Sequence, residues 1–177
     1  MKKLLFTFLL LFSLSSFAQE EFPKLTEIVT DNANIFSPSE LQQLKTKLTN
    51  FETETTNQVV VLTVKNLGGY TIERFANLTF NQNKLGQKEY DNGLLIVFSD
   101  FDRKVRIEVG RGLEPYITDA LSSRIIRNTM IPEFKNENYF TGINIATDEV
   151  IHYLENPEAI KEFEASLEEE KQRDKRI

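Results

Sequence analysis

The sequence predicts a three-layer α/β/α sandwich with a mixed, mainly parallel sheet of about four strands. Two observations carry this. Two continuously apolar runs, QVVVLTV over Gln58–Val64 and GLLIVFS over Gly93–Ser99, read as strands covered on both faces, with a helical pattern between them. A third run, KVRIEVG from Lys104, alternates apolar with charged residues and so reads as an antiparallel hairpin strand near a sheet edge. Strand, helix and strand at this spacing form a right-handed parallel crossover.

The remaining elements follow from spacing and caps. Ser37-Pro38-Ser39-Glu40 is a capping box with proline at the first helical position, and Leu41, Leu44, Leu48 and Phe51 recur at helical spacing, predicting a helix over Pro38–Thr53. After the NLGGY turn, Ile72, Phe75, Ala76 and Leu85 mark a helix over Thr71–Leu85. A helix over Thr118–Phe134 is bent or ended by Pro132, and another over Tyr139–Leu154 faces Phe140, Ile143, Ala146, Val150 and Leu154 inward. A short strand over Ile28–Thr30, parallel to the others, places Asp31 at the edge that carries Asp100 and Asp102, away from Asp91.

The first residues, MKKLLFTFLLLFSLSSFA, have the charged start, apolar run and small-residue end of a secretory leader, with cleavage expected after Ala18. Serines break the run too early for a membrane span. The reading is therefore a leader over 1–18, one domain over 19–156 and a charged helical tail over 157–177, exported to the periplasm or secreted with no transmembrane anchor in the mature chain. Without Lys2 and Lys3 the chain carries 19 basic and 27 acidic residues, a formal charge of −8, which disfavours nucleic acid and anionic membranes as partners. There is no cysteine, so neither a thiol nucleophile nor a disulfide framework is available.

Candidate chemistry is confined to one histidine and several acids. His152 falls on the solvent side of the last predicted core helix, beside Asp148 and Glu149, and lacks the buried partner of a general base. Topology brings the start of the Gly93 strand beside the end of the Lys104 strand, so Asp91, Gly110, Arg111, Gly112 and Glu114 become neighbours. Asp119 closes that group or serves the following helix as a cap or dipole partner. Gly110, Arg111 and Gly112 are candidates for contacting phosphate, although the dinucleotide fingerprint is incomplete; the plainer reading gives the glycines positive φ as the chain leaves the strand. Asp91, Glu114, Asp119 and Asp31 are candidate ligands for calcium or another divalent cation, which accepts clustered oxygen donors. Asp91 and Glu114 are the catalytic candidates should a bound ion polarise a phosphate.

The ordered set VTDNANIFS, QVVVLTV, YDNGLLIVFS, RKVRIEVGRGLE, ITD and IPEFKNENYFTGI resembles the TPM domain family, from about Glu27 to Leu154. The resemblance implies an α/β/α sandwich in exported or lumenal proteins, including thylakoid members linked to photosystem II repair and many bacterial envelope proteins. Calcium binding and acid phosphatase activity are both associated with members, so the resemblance implies an acidic metal or phosphate site at the positions that match its motifs here, Asp31, Asp91, Gly110, Gly112 and Glu114. Many relatives continue into a transmembrane segment and a glycine-rich tail, where this sequence ends in EEEKQRDKRI, so a free protein is expected. Three functions are carried forward: a calcium-binding interaction or repair-type module acting on another envelope protein, a metal-assisted phosphatase of low activity, and a ligand-free partner-binding scaffold.

Overall fold

The structure is a computed structural model that describes residues 22–175. The expected leader over 1–18 lies outside them. Four strands, β1 (Val29–Asp31), β2 (Gln58–Val64), β3 (Gly93–Ser99) and β4 (Lys104–Val109), form one sheet in the order β1-β2-β3-β4. β1, β2 and β3 are parallel, and β4 returns antiparallel to β3. The sheet is the predicted one, with β4 at its edge.

Helix α1 (Pro38–Thr55) begins at the expected capping box, in which Ser37 and Glu40 satisfy each other's backbone N–H groups. Helix α2 (Ile72–Asn83) is capped by Thr71, whose hydroxyl accepts from the Arg74 N–H. Each buries one stripe, and the stripes lie on opposite faces of the sheet. Leu44, Leu48 and Phe51 of α1 pack on Val59, Val61, Leu94 and Ile96. Ile72, Phe75 and Ala76 of α2 pack on Val60, Leu62, Leu95 and Val97. Continuous apolar strands are what this double cover requires.

One topological consequence departs from the expected handedness. β1, β2 and β3 step across the sheet in one direction, yet α1 and α2 sit on opposite faces. The two crossovers therefore have opposite hands, and the right-handed rule holds for only one of them.

The region expected as a single bent helix is three pieces: α3 (Asp119–Ile125), a π-helical turn (Ile126–Met130) and α4 (Ile131–Lys135). Pro132 sits at the start of α4 and the irregularity precedes it. The proline ring would press on the carbonyl four residues back, and the Ile131 N–H instead donates to the Ile126 carbonyl, five residues back. Helices α5 (Tyr139–Glu155) and α6 (Pro157–Asp174) complete the α1 face. The segment from 157 onward, read as a charged helical tail, is helical over α6, and its Ile160 and Phe163 are buried in the α1-side core with Leu167 against it. Among the described residues, no helix is long and apolar enough to cross a membrane.

Candidate functional site

At the edge where β2 and β3 begin, the Asp91-Asn92-Gly93 turn is a hydrogen-bonded knot. Asn92 is buried; its Oδ1 accepts from the Gln87 N–H at 2.8 Å and its Nδ2 donates to the Thr56 carbonyl at 2.8 Å. Asp91 takes a left-handed φ of 47°, which aspartate tolerates better than most residues. The strand exit at Gly110 docks against this turn. The Gly110 N–H donates to the Gly93 carbonyl at 2.8 Å, and the Gly112 N–H to the Asp91 carbonyl at 3.2 Å. Asp91, Gly110, Arg111 and Gly112 are thus brought together as topology required.

The reason for the two glycines differs from the expected one. Neither has a positive φ; that conformation belongs to Gly68, Gly69 and Gly86. A Cβ on Gly110 would instead lie 2.2 Å from the Asp91 carbonyl oxygen, and one on Gly112 would lie 1.8 Å from that of Tyr90. Two loop backbones meet here with no room for a methyl group. Both glycine N–H groups are already committed to protein carbonyls, so they do not form an open phosphate cradle.

Arg111 closes on Asp91, with Nη2 and Nε at 2.7 and 3.0 Å from the same carboxylate oxygen. That guanidinium occupies the place where a cation bound to Asp91 would sit. Glu114 and Asp119 border a different depression, of about 340 Å³, together with Arg106 and Glu108. Asp91 borders another, beside Lys84 and Lys88. The helix cap next to Asp119 is Thr118, whose hydroxyl accepts from the Leu121 N–H; Asp119 itself is an exposed residue of the first turn. No three acidic or histidine side chains among the described residues surround a common metal position. His152 is exposed, as expected, with its ring edge-on to Tyr153.

The opposite edge, where β1, β2 and β3 end, has a different character. Asp31 accepts from the Ile35 and Phe36 N–H groups at 3.2 and 2.9 Å and from the Thr63 hydroxyl. The carboxylate thereby shapes the loop between β1 and α1. Two strands away, Asp102 accepts from the Ser99 hydroxyl at 2.7 Å and the Leu67 N–H at 2.9 Å. The Ser99 hydroxyl, helped by the Leu67 N–H, holds the Asp102 carboxyl below the usual carboxylate range. Asp100 is loosely faced by Arg103 at 3.8 Å. Arg103 is held protonated chiefly by its bond to the Tyr139 hydroxyl.

The sequence reading placed Asp31, Asp100 and Asp102 at one edge but overlooked Thr63 and Ser99. Both residues are fully buried, Thr63 next to the end of β2 and Ser99 at the end of β3, in runs that are otherwise almost wholly apolar. A hydroxyl residue near the end of such a strand was the available signal, because a buried hydroxyl requires a partner.

A profile of the TPM domain matches residues 29–153. The solution structure of the N-terminal domain of a protein from P. gingivalis is 33% identical, covering 73% of this chain and 82% of that one, with a TM-score of 0.68. Two other solution structures share the fold. The N-terminal domain of a Corynebacterium glutamicum protein is 16% identical, covers 75% of this chain and 83% of that one, and has a TM-score of 0.58. The BA42 protein of Bizionia argentinensis is 19% identical, covers 67% and 81%, and has a TM-score of 0.60. No functionally curated protein matches the chain.

Proposed function

As this chain belongs to the TPM domain family, we propose that it is a binding module of the cell envelope rather than a hydrolase, taking calcium at the Asp31–Asp102 edge. The observation that carries the reading is the contrast between the two sheet edges. Arg111 closes an ion pair on Asp91 at 2.7 Å, whereas among the described residues none closes on Asp31 or Asp102, and Arg103 stands 3.8 Å from Asp100.

That edge offers oxygen donors of the kind a hard cation takes, although no three acids among the described residues surround one position. Asp31, Asp100 and Asp102 would hold it, and calcium takes oxygen ligands in flexible number. Open sheets with parallel strands also place ligands beyond the carboxyl ends of those strands. Because no three acids among the described residues already surround one point, binding should be weak, about 10⁻⁴–10⁻³ M as in extracellular calcium modules. The cation's role is to fix the loops after β1 and β3 in one arrangement. Hydrolysis would need a free base and an open oxyanion site, while Asp91 and the glycine N–H groups are engaged with the protein itself.

Calorimetric titration of the mature chain with calcium chloride tests this. Wild type and Asp91→Asn should bind alike, and Asp102→Asn should lose the heat. An absence of heat up to about 10 mM, well above the affinity range of such modules, would refute the cation site, as would a loss caused by Asp91→Asn. Release of phosphate from p-nitrophenyl phosphate that disappears in Asp91→Asn would restore the hydrolase.

A further inference from the structure

The open side of β4 carries a second feature, and its geometry follows from the ladder. The Gly110 N–H bonds to the Gly93 carbonyl, so hydrogen-bonded pairs recur at Glu108–Leu95, Arg106–Val97 and Lys104–Ser99. The alternate residues, Val105, Ile107 and Val109, point their N–H and C=O groups away from β3. No strand pairs with that side, and among the described residues no other hydrogen bond reaches those six groups.

This edge lies in a recess. Ile72 and Glu73 of α2 stand on one side, and Ile126, Ile131 and Phe134 on the other, around a cavity of about 730 Å³ that reaches Lys104 and Val105. The 340 Å³ depression continues along Arg106 to Val109. Together the two cavities touch every residue of β4. The larger one is mainly apolar, borders the π-helical turn at Ile126, and lies just past the hairpin tip, where Phe101 is 84% exposed. Such turns concentrate at functional sites. On its rim, shared with Glu73 and Glu137, Lys104 and Lys135 close no ion pair among the described residues.

We propose that β4 accepts an extended peptide segment of a partner protein as a fifth strand. That segment places one apolar side chain in the cavity beside Phe134 and a neighbouring carboxylate on Lys104 and Lys135. The open N–H and C=O groups, spaced two residues apart, are the recognition element of strand addition. A second copy of the domain is the alternative occupant. It is disfavoured because the edge is sunk between helices, with Ile107 only 3% exposed, and a partner sheet would bring its own helices against those walls. A lone strand about 20 Å long spans the six residues of β4. This goes beyond the cation reading, and all measurements are made with EDTA and again with calcium, so either idea can fail while the other stands.

Heptapeptides selected from a random displayed library on the mature chain provide the probe. Expected sequences alternate apolar with polar residues and include Asp or Glu, and the synthesised peptide should slow amide exchange at Val105, Ile107 and Val109. N-methylation of alternate peptide amides should weaken binding about tenfold or more in one phase and little in the other, since only one set faces β4. Val105→Pro removes an outward N–H without touching the β3 ladder and should weaken binding about tenfold; Lys135→Glu should select against acidic peptides. The proposal is overturned if no heptapeptide is selected, if protection falls elsewhere, if both methylation phases bind equally, or if sedimentation shows a dimer that Val105→Pro dissociates.

Discussion

Replacing Gly112 by alanine should be far more damaging than its place in an exposed loop implies. The added Cβ would sit 1.8 Å from the Tyr90 carbonyl oxygen, where ordinary contact begins at 3.4 Å, so the loops must separate by about 1.6 Å. That movement breaks the 3.2 Å bond from the Gly112 N–H to the Asp91 carbonyl. Backbone displacement of this kind costs about 1–3 kcal/mol and the lost hydrogen bond about 1 more, giving about 2–4 kcal/mol. For a domain of this size, 3 kcal/mol lowers Tm by about 6–12 °C. Two comparisons isolate the cause. Gly68→Ala meets no atom within 4 Å but must adopt a φ of +61°, costing about 1 kcal/mol. Arg111→Ala removes a largely exposed ion pair and should cost less than about 1 kcal/mol. Urea unfolding with unchanged m-values measures all three. If Gly112→Ala proves no costlier than Gly68→Ala, the backbone-contact explanation of the GRG sequence is wrong.

Two further outcomes follow from the opposite edge and from the last helix. The Asp102 carboxyl is held below its ordinary value when folded, so the stability it contributes is complete above the unfolded value of about 3.9 and is lost as pH falls through the folded one. Asp102→Asn should therefore flatten the acid limb of stability below about pH 4; superimposable limbs in acid titrations of wild type and variant would contradict this. Phe163→Ala should cost about 3 kcal/mol, because the ring is buried among Tyr153, Arg124 and the α1-side core. A loss below 1 kcal/mol in urea unfolding would return α6 to the status of a loose tail.

Most of the fold was legible because its signals are local. A capping box, two continuously apolar strands and one alternating strand fix α1, β2, β3 and β4 almost to the residue. What failed depends on distant partners. Gly110 and Gly112 share a sequence signature with positive-φ glycines, and only the Tyr90–Asp91 backbone across the gap shows why they have no side chain. The π-helical turn is a compromise between Pro132 and continuous packing of Ile125, Met130 and Ile143, a conflict that periodicity alone does not reveal. In α6, the spacing of Ile160, Phe163 and Leu167 is masked by twelve charged residues between Pro157 and Ile177. Among the site residues, the grouping of Asp91 with Gly110–Gly112 was legible from topology. The Arg111 ion pair was not, since side-chain reach lies outside any strand register.

The open edge of β4 sharpens the contrast between the parts of this sheet. An unpaired strand is a hazard, since its backbone groups template association with further copies, and proteins restrain it with charge and with cover. Here Lys104, Arg106 and Glu108 supply charge on one face, and Arg106 is tied to Glu108 while Glu108 also accepts from Asn77 of α2. Cover comes from α2 and the π-helical turn, which leave a groove instead of a flat margin. Complete cover would have removed the hazard by burying six polar groups without partners, at an unfavourable cost for each. A recess avoids both penalties: water or one slender strand can satisfy those groups, while a second sheet is kept away. The turn at Asp91, by contrast, commits its Asn92 side chain, the Asp91 carbonyl and one Asp91 carboxylate oxygen to the protein itself. Of the margins of this sheet, β4 is the one whose outward backbone N–H and C=O groups close no hydrogen bond among the described residues, which is why strand addition is the test to make there.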